Sequence, residues 1–381
     1  MEFGETRRES YGSGSRDRWA GNAFLMEPKK IKVLVVEDSP TARELLLHVL
    51  SGEPDLQVTC VAQNGEEAVA AVKRERPDVI TMDLQMPRLD GYQATRAIME
   101  TCPVPIIVVS NTIDQNEVAT SFHALEAGAV MALGKPAGPG HPEYENRARE
   151  LVTAIRLMSE IKVVRRLARH KYRLNPPEAP LVQTGLPPRE VRAVGIGAST
   201  GGPLVLQRIL RALPANFPAP IFVVQHMADG FISGLAEWLD QSCALTVQLA
   251  AHDLVAQPHH VYIAPDGHQL GVYSSGRMWL AKGSGEEGFC PSVSHLFRAL
   301  AQSYGARAVG VLLTGMGEDG AAGLKLLREQ GALTIAQDKQ SSVVFGMPAE
   351  AIRLNAVERV LAPAEIPPVL LAAFGQNNLP G

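Results

Sequence analysis

Three side chains with complementary chemistry each follow an apolar run of this chain. Ser199 lies in the glycine-rich stretch GASTGG at 197–202, and His226 and Asp319 follow two later apolar runs. A serine hydrolase needs these residue types, because the histidine takes the serine proton and the aspartate stabilises the imidazolium. Since the chain has 10 histidines, the choice of His226 depends on its position at a strand end.

The turn around Ser199 allows two interpretations. Gly197, Ser199 and Gly201 satisfy the G-x-S-x-G pattern of a nucleophile on a sharp turn. Small residues before a helix could equally bind a phosphate group, because helix N-termini attract anions. Ser199 and Asp319 could also be helix N-caps, and His226 an ordinary loop residue. Their shared position at strand ends favours catalysis, although the order Ser, His, Asp differs from that of α/β-hydrolases.

A second group of polar residues follows strands nearer the start of the chain. Glu37, Asp38 and Asp83 are carboxylates at predicted strand ends. Carboxylates that converge need a cation, and their hard oxygen ligands suit Mg²⁺. A carboxylate beside Mg²⁺ can accept a phosphoryl group, whose oxygens Ser110 and Lys135 could then hold.

The apolar runs predict two sets of β-strands that alternate with helical segments. The predicted strands are 31–36, 56–62, 78–82, 105–109 and 129–133, followed by 191–196, 221–224, 261–264 and 309–313. Such alternation is typical of parallel sheets with helices on both faces. We therefore predict an α/β chain of two doubly wound parallel-sheet domains, in agreement with its length of 381 residues.

The segment between the two sets of strands predicts a helical and Pro-rich linker. An apolar stripe at 151, 155, 158, 161 and 164 predicts a long helix over 143–173, whose other faces are basic. The basic face could bind nucleic acid or an acidic partner, but a solvated face is favoured. The prolines of 175–188 predict an extended, semi-rigid connection.

Composition restricts the class of protein. The net charge of −4 gives no general argument for nucleic acid, and no apolar stretch reaches the ~18 residues of a membrane helix. The first thirty residues lack the apolar segment of a secretory signal, so we expect disorder there, with Met26 as an alternative start. The four cysteines are far apart, which argues against a zinc site and suits a reducing cytoplasm.

The first set of strands resembles the receiver domain of two-component response regulators over about 30–154. The motifs are ED at 37–38, DLQMP at 83–87, Ser110, and KP at 135–136. This resemblance implies a flavodoxin-like fold, phosphorylation of Asp83 by the histidine kinase CheA, and Mg²⁺ bound by Glu37, Asp38 and Asp83. Met131 and Ala132 stand in the fifth strand, where receivers usually carry Asp and then an aromatic residue.

The second set of strands resembles the catalytic domain of the chemotaxis receptor methylesterase CheB over 191 to about 365. The motifs are GASTGG, QHM at 225–227, AP at 264–265, PSV at 291–293 and LTGMGEDGAAG at 313–323. A receiver in front of this domain is the architecture of that family.

That resemblance implies a Rossmann-like α/β domain and assigns the site residues. Ser199 is then the nucleophile, His226 the general base and acid, and Asp319 the orienting carboxylate. The backbone N–H of Met316 helps to form the oxyanion hole, Thr200 borders the site, and the reaction needs no cofactor. One departure is local, since Phe289, Cys290 and Ser294 replace the His, Arg and Asp that the family often has around PSV.

Together the resemblances imply a cytoplasmic, phosphorylation-controlled protein-glutamate methylesterase. It would hydrolyse glutamate γ-methyl esters of chemoreceptors to release methanol, and also deamidate receptor glutamines. We expect no nucleic acid partner and no membrane insertion. The predicted boundaries are 1–29 for a disordered extension, 30–155 for the receiver, 156–190 for the linker and 191–375 for the catalytic domain.

Two other functions stay open from the sequence alone. The chain could be a receiver-controlled serine esterase that acts on a non-receptor protein, which the changed Phe289 and Cys290 permit. It could also be a non-enzymatic signalling adaptor that binds a nucleotide at 195–202. Against the adaptor, the spacing is not G-x-G-x-x-G, because Gly195 and Gly197 are followed by Thr200.

Overall fold

The computed structural model describes residues 30–111, 115–161, 163, 190–283 and 288–374, without the side chains of 115–117. The extension predicted to be disordered over 1–29 and the Pro-rich connection over 175–188 lie outside these residues. The described part forms two α/β units, which we call the first unit (30–161) and the second unit (190–374).

The first unit is built on a parallel sheet whose strands are short, apolar and rich in β-branched residues. These strands are β1 (Ile31–Val36), β2 (Leu56–Ala62), β3 (Val79–Met82), β4 (Ile106–Ser110) and β5 (Met131–Gly134). The strand order is β2-β1-β3-β4-β5, and every pairing is parallel. Because the strand order reverses between β1 and β3, the carboxyl edge of these two strands is a ligand-binding position in this class of sheet.

Helices connect these strands and cover the sheet. They are α1 (Pro40–Ser51), α2 (Gly65–Glu75), α3 (Gly91–Thr101), α4 (Gln115–Ala127) and α5 (Tyr144–Ser159). The sequence determines several of their ends. Ser39, Asn64 and Asp90 are N-caps whose side chains accept backbone N–H groups of the first turns of α1, α2 and α3.

The predicted long helix over 143–173 is wrong at its C-terminal part. Helix α5 ends at Ser159, and Ile161 is not helical. Leu151, Ile155 and Met158 are buried in the first unit, as the apolar stripe predicts. Ile161 and Val163 both pack against buried apolar residues, a two-residue spacing typical of extended chain. β-branched side chains disfavour helix, which explains why α5 ends before Ile161. The segment 164–173 lies outside the described residues.

The second unit contains a larger parallel sheet and a separate hairpin. Its strands are β6 (Ala193–Ala198), β7 (Ile221–Gln225), β8 (Thr246–Leu249), β9 (His260–Ile263), β10 (His268–Val272), β11 (Met278–Lys282), β12 (Ala308–Leu312), β13 (Leu333–Gln337) and β14 (Arg359–Leu361). The main sheet has seven strands in the order β14-β13-β12-β6-β7-β9-β8, all parallel, while β10 and β11 form an antiparallel pair.

Helices cover both faces of this sheet. They are α6 (Gly202–Arg211), α7 (Ile232–Ser242), α8 (Val293–Tyr304), α9 (Ala321–Glu329), α10 (Met347–Arg353) and α11 (Ile366–Ala373), with a short 3₁₀ turn at Gly305–Arg307. The fold class predicted from the sequence, two doubly wound parallel-sheet units, is therefore confirmed. The four predicted domain boundaries stay predictions.

The two units pack directly against each other through α4 and α7. Phe122 of α4 stacks on Trp238 of α7, with ring centroids 5.2 Å apart and planes inclined by 22°. A Cβ added at Gly234 would lie only 2.3 Å from Cγ1 of Val118, so the helices approach closely there. None of the helices in the described residues is long and apolar enough to cross a membrane.

Candidate active site

Three neighbouring strands of the second sheet bring the predicted catalytic residues to one edge. Strand β6 pairs with β12 on one side and with β7 on the other. Ser199 follows β6, His226 follows β7, and Asp319 lies in the loop after β12. Because the strands are parallel, their carboxyl ends share one edge, and residues far apart in sequence meet there.

The turn that carries Ser199 is held by backbone contacts and requires glycine. The N–H of Ser199 donates to the carbonyl of Thr314 at 3.0 Å. Gly201 has φ +78°, a conformation that L side chains rarely adopt. A Cβ at Gly202 would lie 2.2 Å from Oε1 of Gln225. Helix α6 begins at Gly202 with Gly201 as its N-cap residue, so Ser199 is not the N-cap.

His226 and Asp319 form a close pair. Nε2 of His226 lies 2.9 Å from Oδ2 of Asp319, with 12% and 2% of the two side chains exposed. The separation is that of an ion pair, although the ring nitrogen does not meet hydrogen-bond geometry. Since Nε2 faces Asp319, Nδ1 is the ring nitrogen available to accept the hydroxyl proton of Ser199.

The carboxylate of Asp319 also binds the N-terminus of α8. Its Oδ1 accepts from Ser292 Oγ at 3.0 Å and from the N–H of Ser294 at 2.9 Å, and its Oδ2 accepts from the N–H of Val293 at 2.7 Å. The N–H of Gly320 donates to the same Oδ1 at 2.8 Å. Gly320 is the N-cap residue of α9, so Asp319 does not cap its own helix.

These contacts decide the charge of Asp319. Burial alone would raise the pKa of its carboxyl, but the close contact and charge of His226 and the N–H groups of Ser294 and Val293 outweigh burial. The pKa of Asp319 therefore lies well below its ordinary value. A helix N-terminus attracts negative charge in the same direction. Asp319 is thus an anion that can stabilise an imidazolium at His226.

Gln225 belongs to the QHM motif, but the sequence assigned it no role in the site. Its Nε2 donates to the carbonyl oxygens of both Ser199 and His226, each at 2.8 Å. The side chain is 2% exposed. One amide therefore ties the serine turn to the histidine loop. The only available signal was the position of Gln225 directly before His226.

A cavity of 650 Å³ lies over these side chains, between the two units. Ser199, Thr200, His226, Phe289 and Met316 line it from the second unit. The first unit contributes residues of β5 and α5, among them Met131, Ala132, Thr153 and Leu157, and also Val130, directly before β5. The predicted site-lining residues Thr200 and Met316 thus share the cavity with Ser199.

The first unit brings its predicted carboxylates together as well. One ligand oxygen from each of Glu37, Asp38 and Asp83 lies within 4.8 Å of the others. Nζ of Lys135 is 2.9 Å from Oδ1 of Asp83 and 3.0 Å from Oε2 of Glu37. Ser110 is buried at the end of β4.

The charges of this cluster are not fully balanced. Burial, with the charge of Asp83, raises the pKa of Glu37, and burial also raises the pKa of Asp83 despite Lys135. Burial alone would lower the pKa of Lys135, but the charges of Asp83 and Glu37 outweigh it and raise that pKa. Three carboxylates therefore face one lysine.

The donor set fits a divalent cation. All three groups are hard oxygen ligands, which Mg²⁺ prefers. Oε2 of Glu37 is buried and receives no hydrogen bond, although Lys135 is near it. A bound cation would satisfy this oxygen and offset the repulsion that raises the pKa values of Glu37 and Asp83.

Two family models match this chain. The model described as "CheB methylesterase" matches residues 194–370. The model described as "Response regulator receiver domain" matches residues 33–141. These matches cover the second and the first unit respectively.

Full-length relatives agree with these matches. A protein of Syntrophus aciditrophicus (strain SB), named protein-glutamate methylesterase/protein-glutamine glutaminase 1, is 49% identical over 91% of this chain and 99% of its own. A relative from Nitrosospira multiformis with the corresponding name is 50% identical over 92% and 99%. The crystal structure of the Thermotoga maritima CheB methylesterase catalytic domain is 40% identical, with a TM-score of 0.46, over 48% of this chain and 97% of that chain.

Proposed function

The chain belongs to the CheB methylesterase family, and from that premise we propose that Ser199, His226 and Asp319 are its catalytic residues. The protein hydrolyses glutamate γ-methyl esters and glutamine side-chain amides of proteins, in chemotaxis adaptation. The observation that carries the residue assignment is the 2.9 Å contact of Nε2 of His226 with Oδ2 of Asp319, beside the serine turn.

The first chemical step acylates Ser199. His226 takes the hydroxyl proton through Nδ1 while Oγ attacks the ester carbonyl carbon. Asp319, an anion held by the N-terminus of α8, stabilises the imidazolium that forms. The imidazolium then gives its proton to the leaving oxygen. The carbon–oxygen bond to the methyl group's oxygen breaks, and methanol leaves.

The second step restores the enzyme. Water gives a proton to Nδ1 of His226 as its oxygen attacks the glutamyl ester of Ser199. The tetrahedral intermediate collapses, Ser199 recovers its proton, and glutamate is released. The backbone N–H of Met316 is the proposed donor to the oxyanion in both steps. A glutamine substrate follows the same path with ammonia as the leaving group.

Removal of the nucleophile tests this assignment. Ser199→Ala is expected to lower methanol release from a methylated receptor fragment by ~10³-fold or more, because triad members act as a unit. Ser274→Ala, an exposed serine of the second unit, is the matched control and should keep wild-type activity. A Ser199→Ala rate within tenfold of wild type would exclude Ser199 as the nucleophile.

The receiver domain is proposed to control this reaction through Asp83. Glu37, Asp38 and Asp83 would hold Mg²⁺, which supplies charge neutralisation for phosphoryl oxygens when it is bound. The histidine kinase CheA is the proposed phosphodonor, and Ser110 and Lys135 would contact the phosphoryl oxygens. The contact of Lys135 Nζ with Asp83 at 2.9 Å supports these roles.

Phosphorylation is proposed to act by uncovering the cavity. In this structure Ala132, Thr153 and Leu157 of the receiver domain line the cavity of Ser199, which supports the proposal that the receiver limits the access of a receptor helix. A modification that favours separated domains would shift the population towards an open form. Acetyl phosphate should stimulate methanol release by the wild type but should not change the rate of methanol release by Asp83→Asn. Equal stimulation of both proteins, or of neither, would contradict this control.

The cytoplasmic helices of methyl-accepting chemoreceptors are the proposed substrates, and we accordingly propose a cytoplasmic location. The names of the relatives support a protein glutamyl ester as the substrate. The matches above support neither an esterase of non-receptor proteins nor a nucleotide-binding adaptor.

A further inference from the structure

Phe289 occupies an unusual position beside the catalytic histidine. Its ring lies parallel to that of His226, with centroids 4.7 Å apart and planes inclined by 5°. The side chain remains 43% exposed. Phe289 also lines the cavity that contains Ser199. A half-exposed aromatic ring against a catalytic imidazole has one face available to a substrate.

The backbone of Phe289 is anchored by a buried residue. Nε2 of Gln269 donates to the carbonyl of Phe289 at 2.7 Å, and Oε1 of Gln269 accepts from the N–H of Ser292 at 2.8 Å. Gln269 is 5% exposed. The same segment continues into Ser292, which donates to Asp319. The segment that carries Phe289 is therefore fixed in position relative to Asp319.

The reaction places the leaving group next to this ring. The imidazolium of His226 must protonate the leaving atom, so that atom lies within hydrogen-bond reach of the ring. Nε2 faces the buried Asp319, so the proton is delivered from Nδ1, on the cavity side. Because Phe289 stacks on a face of the same imidazole and lines the same cavity, a leaving group at Nδ1 lies beside the phenyl ring.

An apolar ring beside the leaving group interacts differently with a methoxy group and with an amide nitrogen. A methoxy group accepts the proton of His226 at its oxygen and presents a methyl group, whose burial against a phenyl ring is favourable. An amide nitrogen accepts the same proton but still carries two N–H bonds. The phenyl face is only a weak acceptor for them, and polar hydrogens left without a partner are costly.

We propose that Phe289 is a specificity-determining residue that forms an apolar wall against the leaving group and favours ester over amide hydrolysis. This inference rests on the proposed function of Ser199 and His226. The ester reaction forms the Oγ–carbonyl bond, breaks the bond to the methoxy oxygen and sends the serine proton to methanol. The amide reaction forms the same Oγ–carbonyl bond, breaks the bond from the carbonyl carbon to nitrogen and sends the serine proton to ammonia.

The experiment compares both reactions in one protein. The full chain acts, with acetyl phosphate and Mg²⁺ present, on a receptor cytoplasmic fragment that carries glutamate γ-methyl esters and on the same fragment with glutamines. Methanol and ammonia are measured, and the ratio of the two kcat/KM values is the readout. This ratio is internal to each variant, so a partly folded preparation still reports it.

Phe289→His keeps a planar ring and adds polar ring atoms, whereas Phe289→Leu keeps an apolar side chain. We expect Phe289→His to lower the ester-to-amide ratio about tenfold, the size expected for one lost methyl contact or one gained hydrogen bond. Phe289→Leu should keep the ratio within about threefold of wild type. Tyr273→His, an exposed aromatic residue outside the cavity, should leave both rates unchanged.

Three results would overturn the proposal. The first is an unchanged ratio in Phe289→His, with both rates lowered equally, which indicates that the ring only positions His226. The second is an equal change of the ratio in Phe289→His and Phe289→Leu. The third is wild-type protein that releases neither methanol nor ammonia. This result would contradict the proposed function itself. It differs from the first two results because no ratio can then be measured.

Discussion

Both units of this protein bury an aspartate at the carboxyl edge of a parallel sheet, but the two aspartates have opposite electrostatic properties. Asp83 is 2% exposed and Asp319 is 4% exposed. Burial raises the pKa of Asp83 despite the contact with Lys135, whereas the pKa of Asp319 is lowered although burial opposes this. Burial therefore sets the direction of the pKa shift of Asp83 but not that of Asp319.

The difference lies in the surrounding groups. Asp83 shares its site with Glu37 and Asp38, and the lysine there is shared between two carboxylates. The groups in contact with the carboxylate of Asp319 are instead His226, the N-terminus of α8 and the N–H of Gly320. We propose that the first site is completed by a cation and a phosphoryl group from outside the chain. The second is complete within the chain, as a catalytic site must be before the substrate arrives.

The strongest test of this contrast is removal of the charge of Asp319. Asp319→Asn should lower kcat for methanol release by roughly 10³–10⁴-fold, because an amide cannot stabilise the imidazolium. Its NH₂ group would also face N–H donors of α8. Asp253→Asn, whose side chain is 71% exposed, is the control and should act like the wild type. A loss of less than tenfold would show that the internal charge pair is not needed.

The pH dependence of the stability of Asp319→Asn gives a second test of the difference between the two aspartates. The pKa of Asp319 is lowered from the ordinary value of 3.8. Its ionised form therefore stabilises the folded state above that value, and this contribution is lost as pH falls through the lower folded-state pKa. Urea unfolding of the second unit should show an acid-side loss of stability below pH 3.8 that is weaker in Asp319→Asn. An identical pH profile in both proteins would argue against the depressed pKa.

An intermediate effect is expected where the two units meet. Nε2 of Gln207 donates to Oε1 of Glu126 of the receiver domain at 2.7 Å. Gln207→Ala removes this bond, and a loss of about 1 kcal/mol in the closed form corresponds to about fivefold more open protein. Basal methanol release should rise about fivefold and stimulation by acetyl phosphate should shrink. The exposed Gln330 gives the control Gln330→Ala, and an unchanged basal rate in Gln207→Ala would contradict covering by the receiver.

The smallest expected effect concerns the incomplete site. Mg²⁺ at ten times its Kd should stabilise the receiver domain by about 1.4 kcal/mol, measured by chemical denaturation with and without EDTA. Asp83→Asn should lose this stabilisation, and Asp319→Asn should keep it. Equal stabilisation of the wild type and Asp83→Asn would mean that the cation binds elsewhere.

The strand ends could be predicted from the sequence, and most of the site follows from them. Buried apolar runs identify β6, β7 and β12, and parallel pairing brings Ser199, His226 and the loop of Asp319 to one edge. The same reasoning brings Glu37, Asp38 and Asp83 together. These predictions need only the side-chain period of strands and the direction of the sheet.

The remaining features depend on contacts that periodicity does not encode. Asp319 binds the N-terminus of α8 rather than capping α9, because the packing of α8 brings its N–H groups to the carboxylate. The contact of Phe289 with His226 depends on the anchor at Gln269, which is on another strand. The end of α5 at Ser159 does not follow from the sequence, because the helical spacing of apolar residues continues to Val164, whereas the packing of Ile161 and Val163 favours extended chain.

The two hydrogen bonds of Gln225 have a consequence for what the receiver domain can discriminate. Gln225, Ser199 and His226 all belong to the second unit, so separation of the domains leaves the spacing of nucleophile and base unchanged. On the proposed mechanism, the receiver domain limits access to the site by the size of the substrate. The positions of Ser199 and His226 relative to each other do not change. A small fluorophosphonate should label Ser199 at the same rate with or without acetyl phosphate, whereas hydrolysis of a receptor fragment should depend on it.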